Sequence, residues 1–372
     1  MKAPHLYIHV PFCARRCSYC DFSIAVRRAV PVDEFVTSVA RELTIRFADA
    51  EAWTLDTLYL GGGTPSRLGP DGVARLIDAV RSRATLAPGA EVTLEANPED
   101  VTADAARAWS RAGVSRLSIG AQSFDDAVLR WMHRTHDAAA IAAAVESARA
   151  AGIDNYSLDL IFALPPGIVR SWERDVSQAL ALQPRHLSLY GLTVEPRTPL
   201  GRRLARREIT ESPDEWYARE FLYAHEALTS TGFDHYEISN FAQPGWHSRH
   251  NSAYWSGTPY VGLGPSAHGF DGRVRRWNVE AYVDWLRRVG ENGDPLGGSE
   301  RLTPPSQLVE EVYLGLRTAA GVPLKPAESS SVQSWIEAGW AKSDAVDRLV
   351  LTASGWLRMD GLAAALTSIR SR

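Results

Sequence analysis

Cys13, Cys17 and Cys20 are the only cysteines in this chain of 372 residues, and all three fall in the stretch "HVPFCARRCSYCDF". Three clustered thiols cannot build a disulfide framework, but thiolates are soft ligands for zinc and for iron–sulfur clusters. A CxxxCxxC turn lets three sulfurs converge on three corners of a cubane and leaves the fourth iron without a protein ligand. The alternative is zinc held by the three cysteines and one histidine, with His9 the nearest candidate. Structural zinc usually recruits a second CxxC or HxxxH pair, and this chain has none. Spacing and position favour the cluster.

The elements that must position this turn follow a repeating pattern. Apolar, β-rich runs end in small or polar residues and are followed by amphipathic, alanine-rich stretches. The runs are "HLYIHV", "LDTLYL", "EVTLEA", "SRLSIG", "YSLDLIFAL" and "RHLSLYGL". Between them lie helical patterns such as "VDEFVTSVARELTIRF", "DGVARLIDAVRSR", "TADAARAWSRAG" and "DAAAIAAAVESARAAG", the last two closing on the glycine expected just past a helix end. Six such units in series predict a parallel sheet with right-handed crossovers, curled into an incomplete barrel. The cysteine turn begins where the first strand ends, at the mouth, where ligand chemistry is expected by analogy with full barrels.

Polar residues recur at the other strand ends. Gly61, Gly62 and Gly63 with Thr64 allow backbone to approach a ligand closely; Glu95, Gln122 and Asp159 end later strands, and Arg134 falls in the helical region "WMHRTH". Taken singly, each also reads as a tight turn, a helix cap or an ion pair of the barrel. Carboxylates suit ribose hydroxyls, and an arginine fork suits a carboxylate.

CxxxCxxC followed by "GGGTPS" at the end of the second strand resembles the radical S-adenosylmethionine superfamily. It looks most like the branch that contains oxygen-independent coproporphyrinogen III dehydrogenase and the heme chaperones. The resemblance implies one 4Fe-4S cluster on the three cysteines, whose open iron the amino and carboxylate groups of S-adenosylmethionine chelate. It further implies that Tyr7 and Tyr19 line the cluster and adenine side, that Gly62, Gly63 and Thr64 meet the methionyl end, and that Glu95, Gln122, Arg134, Asp159 and Thr193 complete the cradle. The expected fold is α/β: a partial (β/α)6 barrel over residues 1–232, an extension over 233–304, and a small winged-helix-like module over 305–372.

Within the extension, "HSRHNSAYWSG" carries His247, His250, Asn251, Tyr254 and Trp255. Read from the residues alone, it is a polar loop with its aromatics at a core edge, or an imidazole and aromatic faces suited to a porphyrin. It resembles the HNxxYW motif associated with heme binding in the chaperones, which makes His250 the expected axial ligand. Arg273, Arg275, Arg276 and the arginines of 202–207 are alternatives for the propionates. The dehydrogenases carry a fourth cysteine two residues beyond the third, where this chain has Phe22, and an arm before the first strand, where this sequence has Tyr7 almost at its start. These differences favour a chaperone that passes heme to an acceptor hemoprotein, membrane-associated or not. A radical decarboxylase of coproporphyrinogen III and a radical methyltransferase acting on heme are the alternatives.

"GLGPSA", residues 262–267, fits a dinucleotide fingerprint in spacing, but no helical pattern follows it and no acidic strand end lies about 20 residues on. A net charge of −4, with 45% hydrophobic and 23% charged residues, describes a globular protein rather than a nucleic-acid binder. In the C-terminal module Asp344, Asp347 and Asp360 offset Lys342, Arg348 and Arg358, so a basic reading face is not expected. The clustered cysteines, the absence of a signal-peptide pattern and the lack of roughly 20 consecutive apolar residues predict a cytoplasmic protein that does not span a membrane.

Overall fold

The repeating pattern matures into six parallel strands in chain order: β1 (His5–Val10), β2 (Thr54–Gly62), β3 (Thr85–Ala96), β4 (Arg116–Gln122), β5 (Tyr156–Phe162) and β6 (His186–Gly191). The computed structural model describes residues 3–47, 53–343 and 347–371; Asp344 lies outside them. Helices occupy the intervals the periodicity indicated, with Val32–Phe47 after β1, Gly69–Arg81 after β2 and Ala103–Ala112 after β3. Local chemistry sets their ends. Thr102 caps the third by accepting the Ala105 amide at 3.2 Å, and Gly113 stops it in a left-handed turn at φ 102°. Each helix buries one stripe against the sheet. Gly69–Arg81 contributes Val73, Leu76, Ile77 and Val80, all fully buried, at about 1.5 to 3 kcal/mol for each large side chain.

The sheet does not stop at six. Strands β7 (Asp234–Glu237) and β8 (Asn240–Ala242) form a hairpin that adds to β6. The turn at Ile238 and Ser239 is stabilised by Glu237, a buried carboxylate that accepts the Ser239 amide at 3.2 Å and pairs with Arg317 at 2.8 Å. On the opposite edge, β9 (Tyr260–Leu263) pairs parallel with β1, Tyr7 lying against Gly262. It is a seventh parallel strand, supplied from the far end of the chain. Strands β10 (His268–Phe270), β11 (Val274–Asn278) and β12 (Leu296–Arg301) continue antiparallel outward. The twelve strands run β12-β11-β10-β9-β1-β2-β3-β4-β5-β6-β8-β7, and among the described residues the two end strands do not pair with each other, so the sheet stays open.

A buried carboxylate ties the β9 edge to the first helix. Glu42, fully buried, accepts the Gly264 amide at 2.9 Å, the Asn278 side-chain amide at 2.7 Å and the Trp285 indole N–H at 2.9 Å, with Arg46 at 3.2 Å as counter-ion. From residue 304 onward the chain carries the helix Pro304–Arg317, a three-stranded antiparallel sheet of Val322–Pro323, Arg348–Leu351 and Ala341–Ser343, and the helices Ser329–Glu337 and Met359–Arg370. Their apolar residues join the same continuous core as the barrel. No helix among the described residues is long and apolar enough to cross a membrane.

Candidate functional site

Two adjoining cavities open at the C-terminal ends of the strands. The first, about 440 Å³, is lined by Cys13, Cys17, Cys20 and Tyr19 from the loop after β1 and by Gly62, Gly63 and Thr64 from the end of β2. Glu95, Gln122 and Asp159 reach it from β3, β4 and β5, and Arg134 and Thr193 from the following loops. Tyr7 lies apart from these. It lines the second cavity, donates or accepts a hydrogen bond with His9 at 3.1 Å, and stacks on Tyr59 at 6.0 Å.

The polar groups of the first cavity are held before any ligand arrives. Glu95 accepts the Tyr59 hydroxyl at 2.8 Å and the Gly62 amide at 2.9 Å. Gly62 has φ 112°, and a Cβ there would meet the His9 ring at 2.6 Å, so only glycine presents this amide. Burial pushes the Glu95 carboxyl up to about 7. Asp159, raised by burial as well, accepts Ser118 at 2.9 Å and Ser157 at 3.0 Å. Arg134 donates to Asn97 at 2.6 Å and to the Gly120 carbonyl at 2.9 Å, and approaches Cys17 Sγ at 3.6 Å. It sits in a loop, not in a helix as the pattern suggested: the preceding helix is only Asp126–Trp131, and His133 at φ 61° turns the chain out of it. Asn97, just past the end of β3, and Ser118, separated from Gln122 by a bulge in β4, escaped the sequence reading.

The donor set fits an iron–sulfur cluster. Cys13 contacts the Thr64 hydroxyl at 3.3 Å, and burial raises the thiols of Cys13 and of Cys20, the latter to about 11. Bound iron reverses that preference, since a coordinating thiol is deprotonated outright. His9 is not turned toward the three sulfurs: Nε2 bonds the Ser23 carbonyl at 2.9 Å and Nδ1 faces Tyr7. Among the described residues no three His, Cys, Asp or Glu side chains surround a single metal position, whereas a cubane takes its thiolates on separate irons. The cavity beside them, with two half-buried carboxylates, a guanidinium and glycine backbone, suits a zwitterionic nucleoside such as S-adenosylmethionine.

The "HNSAYW" segment forms the short helix Arg249–Trp255, capped by Ser248. Its two halves face different ways. His250 is 1% exposed; Nδ1 lies 2.6 Å from the Thr57 hydroxyl and Nε2 2.8 Å from the Tyr254 hydroxyl, and its amide donates to Glu91 at 3.0 Å. Burial keeps it neutral, with its pKa down to about 3. The axial role expected for His250 is not served by this geometry, because both ring nitrogens are taken and the ring lines neither cavity. Asn251 donates its amide to the capping Ser248 at 3.3 Å. Tyr254 and Trp255 instead line the second cavity, about 540 Å³, with Tyr260, Phe270 and His268. Of the arginine alternatives, Arg275 alone lines it, paired with Glu310 at 2.9 Å; Arg276 pairs with Asp294, and Arg203 and Arg206 with Glu208. Phe22, 61% exposed, stands on the wall that the two cavities share.

An open parallel sheet with three cysteines and a glycine-lined cavity at its mouth defines a radical S-adenosylmethionine scaffold, and residues 7–174 match the family model described as the Radical SAM superfamily. The fold is that of the solved structure titled "Coproporphyrinogen III oxidase (HemN) from Escherichia coli is a Radical SAM enzyme", with a TM-score of 0.82, 22% identity, and coverage of 99% of this chain and 91% of that one. Among curated proteins, "Heme chaperone HemW" of Mycobacterium tuberculosis is 37% identical over 97% of this chain and 94% of its own length. The protein of the same name from Bacillus subtilis is 36% identical, covering 86% of this chain and 84% of itself. The chain belongs to this HemW family of radical S-adenosylmethionine proteins.

Proposed function

We propose that this protein is a heme chaperone: it holds a 4Fe-4S cluster on Cys13, Cys17 and Cys20, takes S-adenosylmethionine into the first cavity, binds heme against the "HNSAYW" region and passes it to an acceptor hemoprotein. The observation that carries the reading is the aromatic half of that segment, Tyr254 and Trp255, turned into a cavity next to the cysteine loop in a chain similar along nearly its whole length to proteins named heme chaperones. The bound cluster would supply a low-potential electron and an open iron for chelation. Thr64 and Arg134 flank the thiolates, and the guanidinium offsets their negative charge. Glu95 and Asp159 are aimed at hydroxyls, and Gly62 gives the cofactor room. His250 anchors Tyr254 to the barrel through its hydrogen bond, which fixes the wall of the heme cavity. The division into a core over 1–232, an extension over 233–304 and a module over 305–372 belongs to this proposal, as does a cytoplasmic location.

The test is an anaerobic assay of the reconstituted chain with S-adenosylmethionine, a low-potential reductant and either hemin or coproporphyrinogen III. Stoichiometric hemin binding without turnover, and release on addition of an apo-hemoprotein, is the expected result. Repeated conversion of coproporphyrinogen III to protoporphyrinogen IX would replace the chaperone by the decarboxylase, and methylated or ring-opened tetrapyrrole by the methyltransferase.

A further inference from the structure

Asp159 lines the first cavity, yet it also begins a chain of hydrogen bonds that leads away from it through the barrel. Ser157 stands two residues earlier on β5, so strand alternation puts both side chains on one face, and the serine hydroxyl donates to Asp159 Oδ1 at 3.0 Å. Ser157 is paired in register with His186 at the start of β6, whose Nδ1 lies 2.9 Å from the serine Oγ. Across the ring, Nε2 lies 2.7 Å from the hydroxyl of Tyr236 on β7, whose oxygen also accepts the Ser248 amide at 3.4 Å. Neighbouring strands steady the first two members: Ser118 donates to Asp159 at 2.9 Å, and Ser188 lies 3.2 Å from Ser157. Ser157 and His186 are fully buried and Tyr236 nearly so. Tyr236 lines a third cavity, about 690 Å³, where its ring stacks at 4.2 Å on His247, a side chain 41% exposed.

Each protonation state of Asp159 goes with one direction of this chain. With Asp159 ionised, Ser157 donates to it, His186 donates from Nδ1 to Ser157, and Tyr236 donates to the bare Nε2. With Asp159 protonated and donating to Ser157, every bond reverses, and the tyrosine hydroxyl turns outward. The two arrangements differ by one proton passed along the line: Asp159 gives its proton to Ser157, Ser157 gives one to Nδ1, Nε2 gives one to Tyr236, and Tyr236 gives one to water. No member between the ends keeps a charge, and the imidazole tautomer records the passage. The surroundings favour this concerted shift over a resting imidazolium. Burial, with Arg116 and His247, holds the His186 pKa well below its usual value. Arg116, from β4, is buried with Nε and Nη1 unpartnered among the described residues, and its charge faces Asp159 as well. Glu95 of β3, Tyr59 of β2 and Tyr190 of β6 complete the titratable groups around Asp159; Glu91 and Glu237 face Tyr236.

We infer that Ser157, His186 and Tyr236 form a proton path joining Asp159 in the first cavity to the third cavity, and that His186 changes tautomer whenever Asp159 gains or loses its proton. The inference rests on the reading of the first cavity as a cofactor site and deepens it. A ligand seated there covers the mouth that Asp159 shares with the cysteine loop, while its hydroxyls favour the carboxylate, so the proton displaced on binding needs an exit that the ligand does not block. The path runs from Asp159 toward the start of β6, away from that mouth.

Two measurements on the full-length reconstituted chain test it. In nitrogen-15 spectra of histidine-labelled protein without cofactor, the His186 proton should move from Nε2 to Nδ1 as the Asp159 carboxyl, followed by its infrared band, ionises with rising pH; Asp159→Asn should abolish the move. A tautomer that stays fixed through that ionisation, or that moves equally in folded Asp159→Asn, overturns the path. The second measurement mixes S-adenosylmethionine and a pH indicator with the chain by stopped flow, in proteins that carry Glu95→Gln so that Asp159 is the carboxylate left to ionise. His186→Gln, which still bridges Ser157 and Tyr236, should lower the ratio of proton-release rate to cofactor-binding rate at least about tenfold. An unchanged ratio in the folded variant overturns the path, as does binding without proton release at a pH where Asp159 is protonated. An unaltered chain that binds no S-adenosylmethionine overturns the reading of the first cavity, and the tautomer measurement then decides the path by itself.

Discussion

The two cavities share a wall at Phe22, Gly62 and Glu95 but are built on opposite plans. On the cysteine side the principal charged groups are already bound to protein: Glu95 to Tyr59 and Gly62, Asp159 to serines, Arg134 to Asn97 and Gly120. Such groups lose little freedom when a ligand arrives, which favours a resident cofactor held in one geometry. On the other side the faces are aromatic and, among the described residues, the His268 ring nitrogens and the Trp255 indole N–H have no hydrogen-bond partner. A surface of that kind grips by area, which suits a guest that departs.

The comparison breaks most visibly if the sides are not separable. Cys17→Ala should reduce iron and sulfide after reconstitution from about four each to near zero, while hemin binding to the second cavity persists; simultaneous loss of both in a folded variant would mean one site. Next in size, Arg134→Ala should weaken S-adenosylmethionine about ten- to a hundredfold, or about 1.5 to 3 kcal/mol, by isothermal titration. The Soret titration should not move. If affinity is unchanged with the cluster intact, the cradle is misassigned.

A smaller effect concerns pH. Because burial raises Glu95 from 4.5 to about 7, its contribution to stability is fully present below pH 4.5 and lost as pH rises through about 7. S-adenosylmethionine, whose hydroxyls favour the carboxylate, should bind more tightly as pH rises from 6 to 8. Glu95→Gln should flatten that rise, and an equally steep rise in the variant would assign the titration elsewhere. The smallest change expected is in Tyr254→Phe, which leaves His250 Nε2 without its partner. A buried group so orphaned costs about 1 to 3 kcal/mol, read as a melting temperature lower by a few degrees with cluster content unchanged. Unaltered melting would show that the bond does not hold this wall in place.

Much of the first cavity could be read from the sequence because its residues sit at strand ends, and strand ends follow from a local pattern of apolar runs. Glu95 and Gln122 were accessible in this way, whereas Asp159 stands in the middle of β5, Asn97 just past the end of β3, and Ser118 on the far side of a bulge in β4 from Gln122. Arg134 was placed in a helix because a positive φ at His133 leaves no mark in periodicity. The second cavity was harder, since its makers are non-local. β9 has four residues, one of them glycine, too few to announce a strand, and its partner begins 255 positions earlier at His5. Within the "HNSAYW" segment the turning of His250 away from the cavity depends on Thr57 and Glu91, distant in the chain, so no pattern within the segment reveals it.

The pairing of β1 with β9 also orders events on the ribosome. When the first six strands have been synthesised, the outer edge of β1 still shows unpaired amides and carbonyls, and it keeps them until Leu263 has emerged. The cysteine loop hangs from that same strand, so the intervals before and after residue 260 present it on different supports. A nascent chain paused between them carries both a bare strand edge open to a neighbour and three unligated thiols beside it. Maturation is safest when metal arrives after the seventh parallel strand has docked and Glu42 has received the Gly264 amide.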